Sequence, residues 1–232
     1  MKKKLPITKL TGICLILLLI SSVSAQAQLK TPDITGTKEI YLKLACKLTI
    51  IQGEKASLEI TGDEDALNDV HVKMMGDKLK IYNEENHQDR SDVSVTITLP
   101  DLNKISIAGP VNVTTPSTLN LDELLVDVSG VADFNLKLKS KVLRLNSSGV
   151  LSGEIHGETE ALFIEISGVG KFNATEFRAK NCKVDVSGVG RVAVNATDHL
   201  DASVSGMGKI QFTGNPKINA HSSGIGSIDK ID

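Results

Sequence analysis

Seven glycines recur through the second half of the chain, at Gly109, Gly130, Gly149, Gly168, Gly188, Gly206 and Gly224, spaced by 21, 19, 19, 20, 18 and 18 residues. The residues around them repeat as well: IAGPV, VSGVA, SSGVL, ISGVG, VSGVG, VSGMG and SSGIG. A fixed period of this length marks a repeat architecture in which each unit buries its apolar face only against its neighbours.

Alignment on the glycine gives columns. Six residues before it stand Leu124, Leu143, Leu162, Cys182, Leu200 and Ile218; four before it, Ile105, Val126, Leu145, Ile164, Val184, Ala202 and Ala220. Two before it stand Ile107, Val128, Ser147, Ile166, Val186, Val204 and Ser222. One after it come Pro110, Val131, Val150, Val169, Val189, Met207 and Ile225, and four after it Val113, Phe134, Gly153, Phe172, Val192, Ile210 and Ile228. Apolar and polar positions alternate within each unit, which is the strand period. The apolar residue directly after the glycine suggests that the alternation breaks there and resumes in a new phase. A corner with positive φ would produce such a break, and glycine tolerates it.

The expected fold is all-β: a right-handed parallel β-helix, or β-solenoid, whose like positions stack about 4.8 Å apart. The hand follows from the usual sense of parallel connections. A calcium-binding nonapeptide solenoid does not fit, since only Asp133 approaches the aspartate that such turns need.

Residues 33–104 lack the glycine period but still read as strands. Ile40–Gln52 alternates up to a turn at Gly53-Glu54; Ser57–Thr61, Val70–Met74, Leu79–Tyr82 and Val93–Leu99 follow, with a turn at Gly76-Asp77. Asn83–Ser91 is polar and reads as a loop. These strands are expected to extend or cap the first coil, because a bare end coil is an open sheet edge. The expected organisation is a leader over residues 1–27, a β-strand region over 28–104 continuous with the solenoid, and repeated coils over 105–232.

The leader reading rests on Lys2, Lys3 and Lys4, the apolar run Gly12–Ile20, and Ala25-Gln26-Ala27 as a cleavage pattern. The run is too short to span a bilayer. Cys14 follows Ile13 rather than a small residue, so no lipid anchor is expected. Removal of the leader leaves 22 basic against 28 acidic residues, a balance unsuited to nucleic-acid binding. Export would permit a disulfide between Cys46 and Cys182. The place of Cys182 in a Leu/Ile column favours a buried thiol instead.

The N-terminal segments Leu48-Thr-Ile-Ile-Gln-Gly-Glu54, Leu58-Glu-Ile-Thr-Gly-Asp63, Leu79-Lys-Ile81 and Val95-Thr-Ile-Thr-Leu-Pro-Asp-Leu102, followed by the serial Ser-Gly coils, resemble the auto-transporter adhesin head GIN domain family of exported bacterial proteins. The resemblance covers about residues 33–228. It implies a right-handed β-helix in the envelope or at the surface of Gram-negative-type bacteria, with no established enzyme activity and no catalytic residues to carry over. With no translocator barrel before Asp232, self-translocation is not expected, and both periplasmic and surface residence stay open.

No chemistry-bearing constellation stands out. His71, His87, His156, His199 and His221 have no metal-ligand spacing, and no cofactor is expected. Ser167 does not sit in a G-x-S-x-G elbow. Together with Ser129, Ser148, Ser187, Ser205 and Ser223 it reads as a structural ladder whose hydroxyls satisfy turn amides. Two outward columns carry charge. Three after the glycine, Lys171, Arg191 and Lys209 would stack on adjacent coils as a basic stripe, a candidate ligand-binding site for an anion or acidic glycan. Three before it, Glu165 and Asp185 are adjacent. Leu125 and Phe163 fall in a column that should point outward, covered by an inter-coil loop or offered to a partner.

The sequence therefore favours a non-enzymatic binding or adhesion module, with a glycan or an envelope or surface protein as partner. A structural envelope protein that self-associates through solenoid ends is the alternative; charge at Asp229, Lys230 and Asp232 would blunt such stacking. A polysaccharide-active β-helix enzyme would need clustered carboxylates or aromatics, which the sequence does not show.

Overall fold

A computed structural model describes residues 27–84 and 93–231. Apart from Ala27, the expected leader with Cys14 lies outside the described residues, as do most of the polar segment Asn83–Ser91 and Asp232.

The chain runs through β1 (Ala27–Gln28), β2 (Glu39–Lys43), β3 (Cys46–Gln52), β4 (Ser57–Gly62), the one-turn helix α1 (Glu64–Leu67), β5 (His71–Met75), β6 (Lys78–Tyr82) and β7 (Ser94–Leu99). It continues through β8 (Lys104–Ile107), β9 (Pro110–Thr114), β10 (Leu119–Val128), β11 (Val131–Ser147), β12 (Val150–Ile166), β13 (Val169–Val186), β14 (Val189–Val204), β15 (Met207–Thr213), β16 (Lys217–Ser222) and β17 (Ser227–Lys230). From β8 onward every pairing is parallel and in the register read from the repeat: Val131 faces Val150, Val150 faces Val169, Val169 faces Val189, and Val189 faces Met207. The protein is a β-solenoid.

The corner works differently from the expectation. None of the seven repeat glycines has a positive φ; the positive-φ glycines are Gly36, Gly76, Gly153, Gly157 and Gly214. Nor does the alternation break at the glycine. Val126, Val128, Ala132 and Phe134 are all buried, two residues apart on either side of it. The glycine is itself the inward position of the corner. There the coils approach so closely that a Cβ on Gly149, Gly168, Gly188 or Gly206 would come 2.0 Å from the carbonyl oxygen of the glycine one coil earlier. Close backbone approach, not a left-handed conformation, requires glycine here.

The phase changes at a second corner instead. Ser140 is buried and ladders with Thr159, the next ladder pair is Val142 with Ala161, and Leu143 is buried. Lys141 and Glu160 are thus skipped, and the buried set moves from even to odd positions. Inside this corner Ser140 Oγ donates to Thr159 Oγ1 at 3.1 Å, so a buried hydroxyl pair is satisfied.

The expected core columns are buried through Leu200, Ala202 and Val204. In the last coil β16 is exposed throughout, and Ile218 is 48% exposed. These residues keep the register, and no coil among the described residues covers them. The column directly after the glycine points outward, with Val131, Val150, Val169, Val189, Met207 and Ile225 all exposed. It is an apolar ridge, not core.

The N-terminal strands do cap and extend the solenoid. β2 lies between β6 and β8, and β3 between β7 and β9, all parallel. β5 then covers β6 and β4 covers β7, both antiparallel, with β1 outside β4. The helix α1, which alternation did not foresee, buries Ala66 and Leu67. Leu44 and Ala45 take the place of the Ser-Gly corner in the rung of β2 and β3: a Cβ on Gly109 would come 2.5 Å from the Leu44 carbonyl oxygen.

Cys46 and Cys182 are free and buried, so there is no disulfide between them. Burial pushes both thiols up to about 12.

Candidate functional site

The residues that follow each corner form flat strands whose outward side chains stack. Three after the glycine, Lys171 ladders with Arg191, and Arg191 with Lys209, which brings the basic stripe together. The same column continues to Ser152 and Asp133 on one side and to Ser227 on the other. These strands border a shallow groove of about 700 Å³ to which Lys171, Arg191, Asn135, Asn173, Thr175 and Gln211 contribute.

Charge in this groove is unevenly compensated. The Lys209 ammonium meets Asp229 Oδ2 at 2.9 Å, and that hydrogen bond, with one from Ser227, holds the Asp229 carboxyl below the usual range. Asp133 accepts a hydrogen bond from the Ser152 hydroxyl. Glu154 faces His156 Nε2 at 3.3 Å, and His156 Nδ1 meets Glu176 at 2.9 Å. Glu176 above all raises the His156 pKa, against a smaller opposing effect of burial. Asp133 and Glu154, the acids that line the groove, thus have partners of their own. Among the described residues Lys171 and Arg191 make no ion pair. Next to them in the outward direction stand Asn173 and Ala193, both neutral.

A second groove, of about 750 Å³, lies along the other corner. Its charges alternate from coil to coil and cancel: Lys141 bridges Asp122 at 2.7 Å, Lys139 bridges Glu158 at 2.6 Å, and Lys180 bridges Glu160 at 3.6 Å. Alignment on glycine alone did not single it out. The signal was present, since Asp122, Lys141, Glu160 and Lys180 recur with the coil period.

The remaining sequence candidates resolve as structure. Corner amides of Ser129 and Gly130 both donate to the Ile107 carbonyl of the preceding coil, and Ser148 and Gly149 do the same to Val128. The serine hydroxyls do not satisfy those amides. Two of them donate to carbonyls of the preceding coil instead, Ser129 Oγ to Ile107 at 3.3 Å and Ser167 Oγ to Ser147 at 3.4 Å. Phe163 is covered by the Arg144 guanidinium, 4.0 Å from the ring centroid, rather than by a loop. Glu165 and Asp185 are ladder neighbours, as read. No group of three His, Cys, Asp or Glu among the described residues could hold a metal ion. No helix among them is long and apolar enough to cross a membrane.

The register, the charged outward ladders and the capped first end define a β-solenoid repeat protein. Residues 38–216 match the family model described as "Putative auto-transporter adhesin, head GIN domain", and the chain belongs to that family. A crystal structure described as a putative adhesin from Bacteroides fragilis is 26% identical, with a TM-score of 0.81, covering 89% of this chain and 96% of that one. Two others, each 20% identical, share the fold. One, described as a putative lipid binding protein from Parabacteroides distasonis, has a TM-score of 0.68 and covers 89% of this chain and 96% of that one. The other, described as a putative adhesin from Parabacteroides merdae, has a TM-score of 0.63 and covers 90% and 96%. No functionally curated protein matches the chain.

Proposed function

We propose that the chain is an exported, non-enzymatic binding module of the bacterial envelope, and that Lys171, Arg191 and Lys209 form its binding site for anions, with acidic glycans as the ligand class. One observation carries this reading. In the groove along the other corner stacked charges alternate in sign and pair, whereas here three cations lie on adjacent coils, and Lys171 and Arg191 make no ion pair among the described residues. Like charges directly opposite one another in a sheet are destabilising. A bound anion relieves that repulsion, and the amides of Asn135, Asn173 and Gln211 are placed along the same groove to hydrogen-bond hydroxyls. The adhesin descriptions of the family and of the 26%-identical relative agree with a binding role.

The test is a glycan array probed with the wild-type chain and with Lys171→Glu/Arg191→Glu. Binding of acidic glycans by the wild type, lost in the variant, supports the reading; equal binding by both removes it. Protease shaving of intact cells distinguishes surface from periplasmic residence.

Self-association is a second reading, favoured by the far end of the solenoid. There β16 is exposed throughout, Asp229 is already bridged to Lys209, and Lys230 is hydrogen-bonded to Asn215. These charges blunt end-to-end stacking less than their number suggests. Sedimentation equilibrium tests it.

A further inference from the structure

We infer that the basic column and the apolar ridge beside it act together as a docking face for an anionic lipid bilayer, which narrows the anion-binding reading above and rests on it. Val169, Val189 and Met207 stand two residues before Lys171, Arg191 and Lys209 in the same three strands, so both columns project from one side. The apolar column is 52% exposed at Val169, 44% at Val189, 57% at Met207 and 81% at Ile225. At a coil spacing of about 4.8 Å these four side chains form a straight edge of about 14 Å.

The register ties apolar exposure to positive charge. On the earlier coils the ridge continues at Val131 and Val150, but there the neighbouring outward column holds Asp133 and Ser152, hydrogen-bonded to each other. Beside Val169, Val189 and Met207 the neighbours are cations, two of them without an ion pair among the described residues, and beside Ile225 stands the neutral Ser227. A small hydrophilic anion would use the cations alone and leaves the ridge unexplained. An apolar partner would use the ridge alone and is opposed by the charge beside it. An apolar edge flanked by Lys and Arg suits the boundary between acyl chains and anionic headgroups. Charge complementarity selects an anionic bilayer over a neutral one.

The chain is recovered after export, with its N-terminus read by mass spectrometry so that residues 1–27 do not contribute. Sedimentation with phosphatidylcholine vesicles, with and without phosphatidylglycerol, is compared with binding to soluble polygalacturonate. Wild type is expected to sediment only with anionic vesicles and also to bind the polymer. Val169→Gln/Val189→Gln/Met207→Gln should lose vesicle binding at least tenfold and keep polymer binding. Lys171→Glu/Arg191→Glu should lose both, since each cation near an anionic surface contributes about fivefold. All five positions are surface-facing, and circular dichroism melts confirm that the variants fold.

Polymer binding without vesicle binding overturns the lipid inference and leaves the anion site standing. Loss of neither ligand in the Lys/Arg variant overturns both. Equal sedimentation with neutral vesicles, unchanged vesicle binding by the Gln variant, or a ridge-dependent dimer in sedimentation equilibrium each overturns the inference.

Discussion

Gly149 and Gly168 meet corner to corner: a Cβ on Gly168 would lie 2.0 Å from the Gly149 carbonyl oxygen. Backbone, unlike a side chain, cannot rotate out of the way. Gly168→Ala is therefore expected to separate two coils and to cost about 3 kcal/mol, the upper end for overpacking. Gly36→Ala is the control. It has a φ of +84° and nothing within 4 Å of an added Cβ, so it should cost only the left-handed strain of about 1–2 kcal/mol. Urea denaturation of the two variants decides the order.

Ser147 occupies a column whose neighbours are Val128 and Ile166, and its buried Oγ has no hydrogen-bond partner among the described residues. A lone buried hydroxyl is a cost that an apolar side chain removes. Ser147→Val is expected to raise stability by about 1 kcal/mol, read as a higher urea midpoint at unchanged slope. A lower midpoint would mean that the extra methyl does not fit.

Both thiols should be inert in the native state. With Cys46 and Cys182 buried and their pKa values near 12, almost no thiolate forms at neutral pH. Iodoacetamide at pH 8 is expected to label neither in buffer and both in denaturant, as counted by intact mass. Cys182→Leu should be tolerated within about 1.5 kcal/mol, because Leu162 and Leu200 stand on either side of it in the ladder.

His156 gives stability a small pH dependence. Its folded pKa is raised, so the protonated form is favoured by folding. The contribution is complete below the unfolded value of 6.5 and fades as pH rises through the folded pKa. The ring lies near the surface, where water screens the pairs, so the effect is small. Stability measured from pH 5 to 9 should fall gently above about pH 6.5, and His156→Gln should flatten that segment. An unchanged slope in His156→Gln would place the pH dependence elsewhere.

The coil register and most of the core were legible because one glycine per coil indexes every column. Leu143, Leu162 and Cys182 are buried neighbours in the ladder, as their alignment requires. Orientation was legible too, but only by counting. Val128 and Ala132 are both buried and four residues apart, so Val131 had to point outward. Hydrophobicity alone put Val131 and its column in the core. The second corner escaped because no glycine marks it; Lys141 and Glu160 sit there as ordinary charged residues. Ile218 and Ala220 carry core residue types, yet what buries a solenoid column is the next coil, and position in the stack is not written in residue type. In the candidate site, the adjacency of Lys171, Arg191 and Lys209 could be read in advance, whereas the tie between Lys209 and Asp229 depends on where the final coil folds back.

The placement of β2 and β3 between later strands governs the order of assembly. Glu39 pairs with Lys78 on one edge and Lys104 on the other, so the first rung synthesised is walled in only after some sixty further residues have emerged. Past that point each coil finds its partner about nineteen residues back, and growth becomes a local, one-way zipper. The slow, entropy-limited step of folding is thereby confined to the head of the molecule, and a chain truncated near residue 100 should keep its first rung but leave one edge of it bare, without β8 and β9.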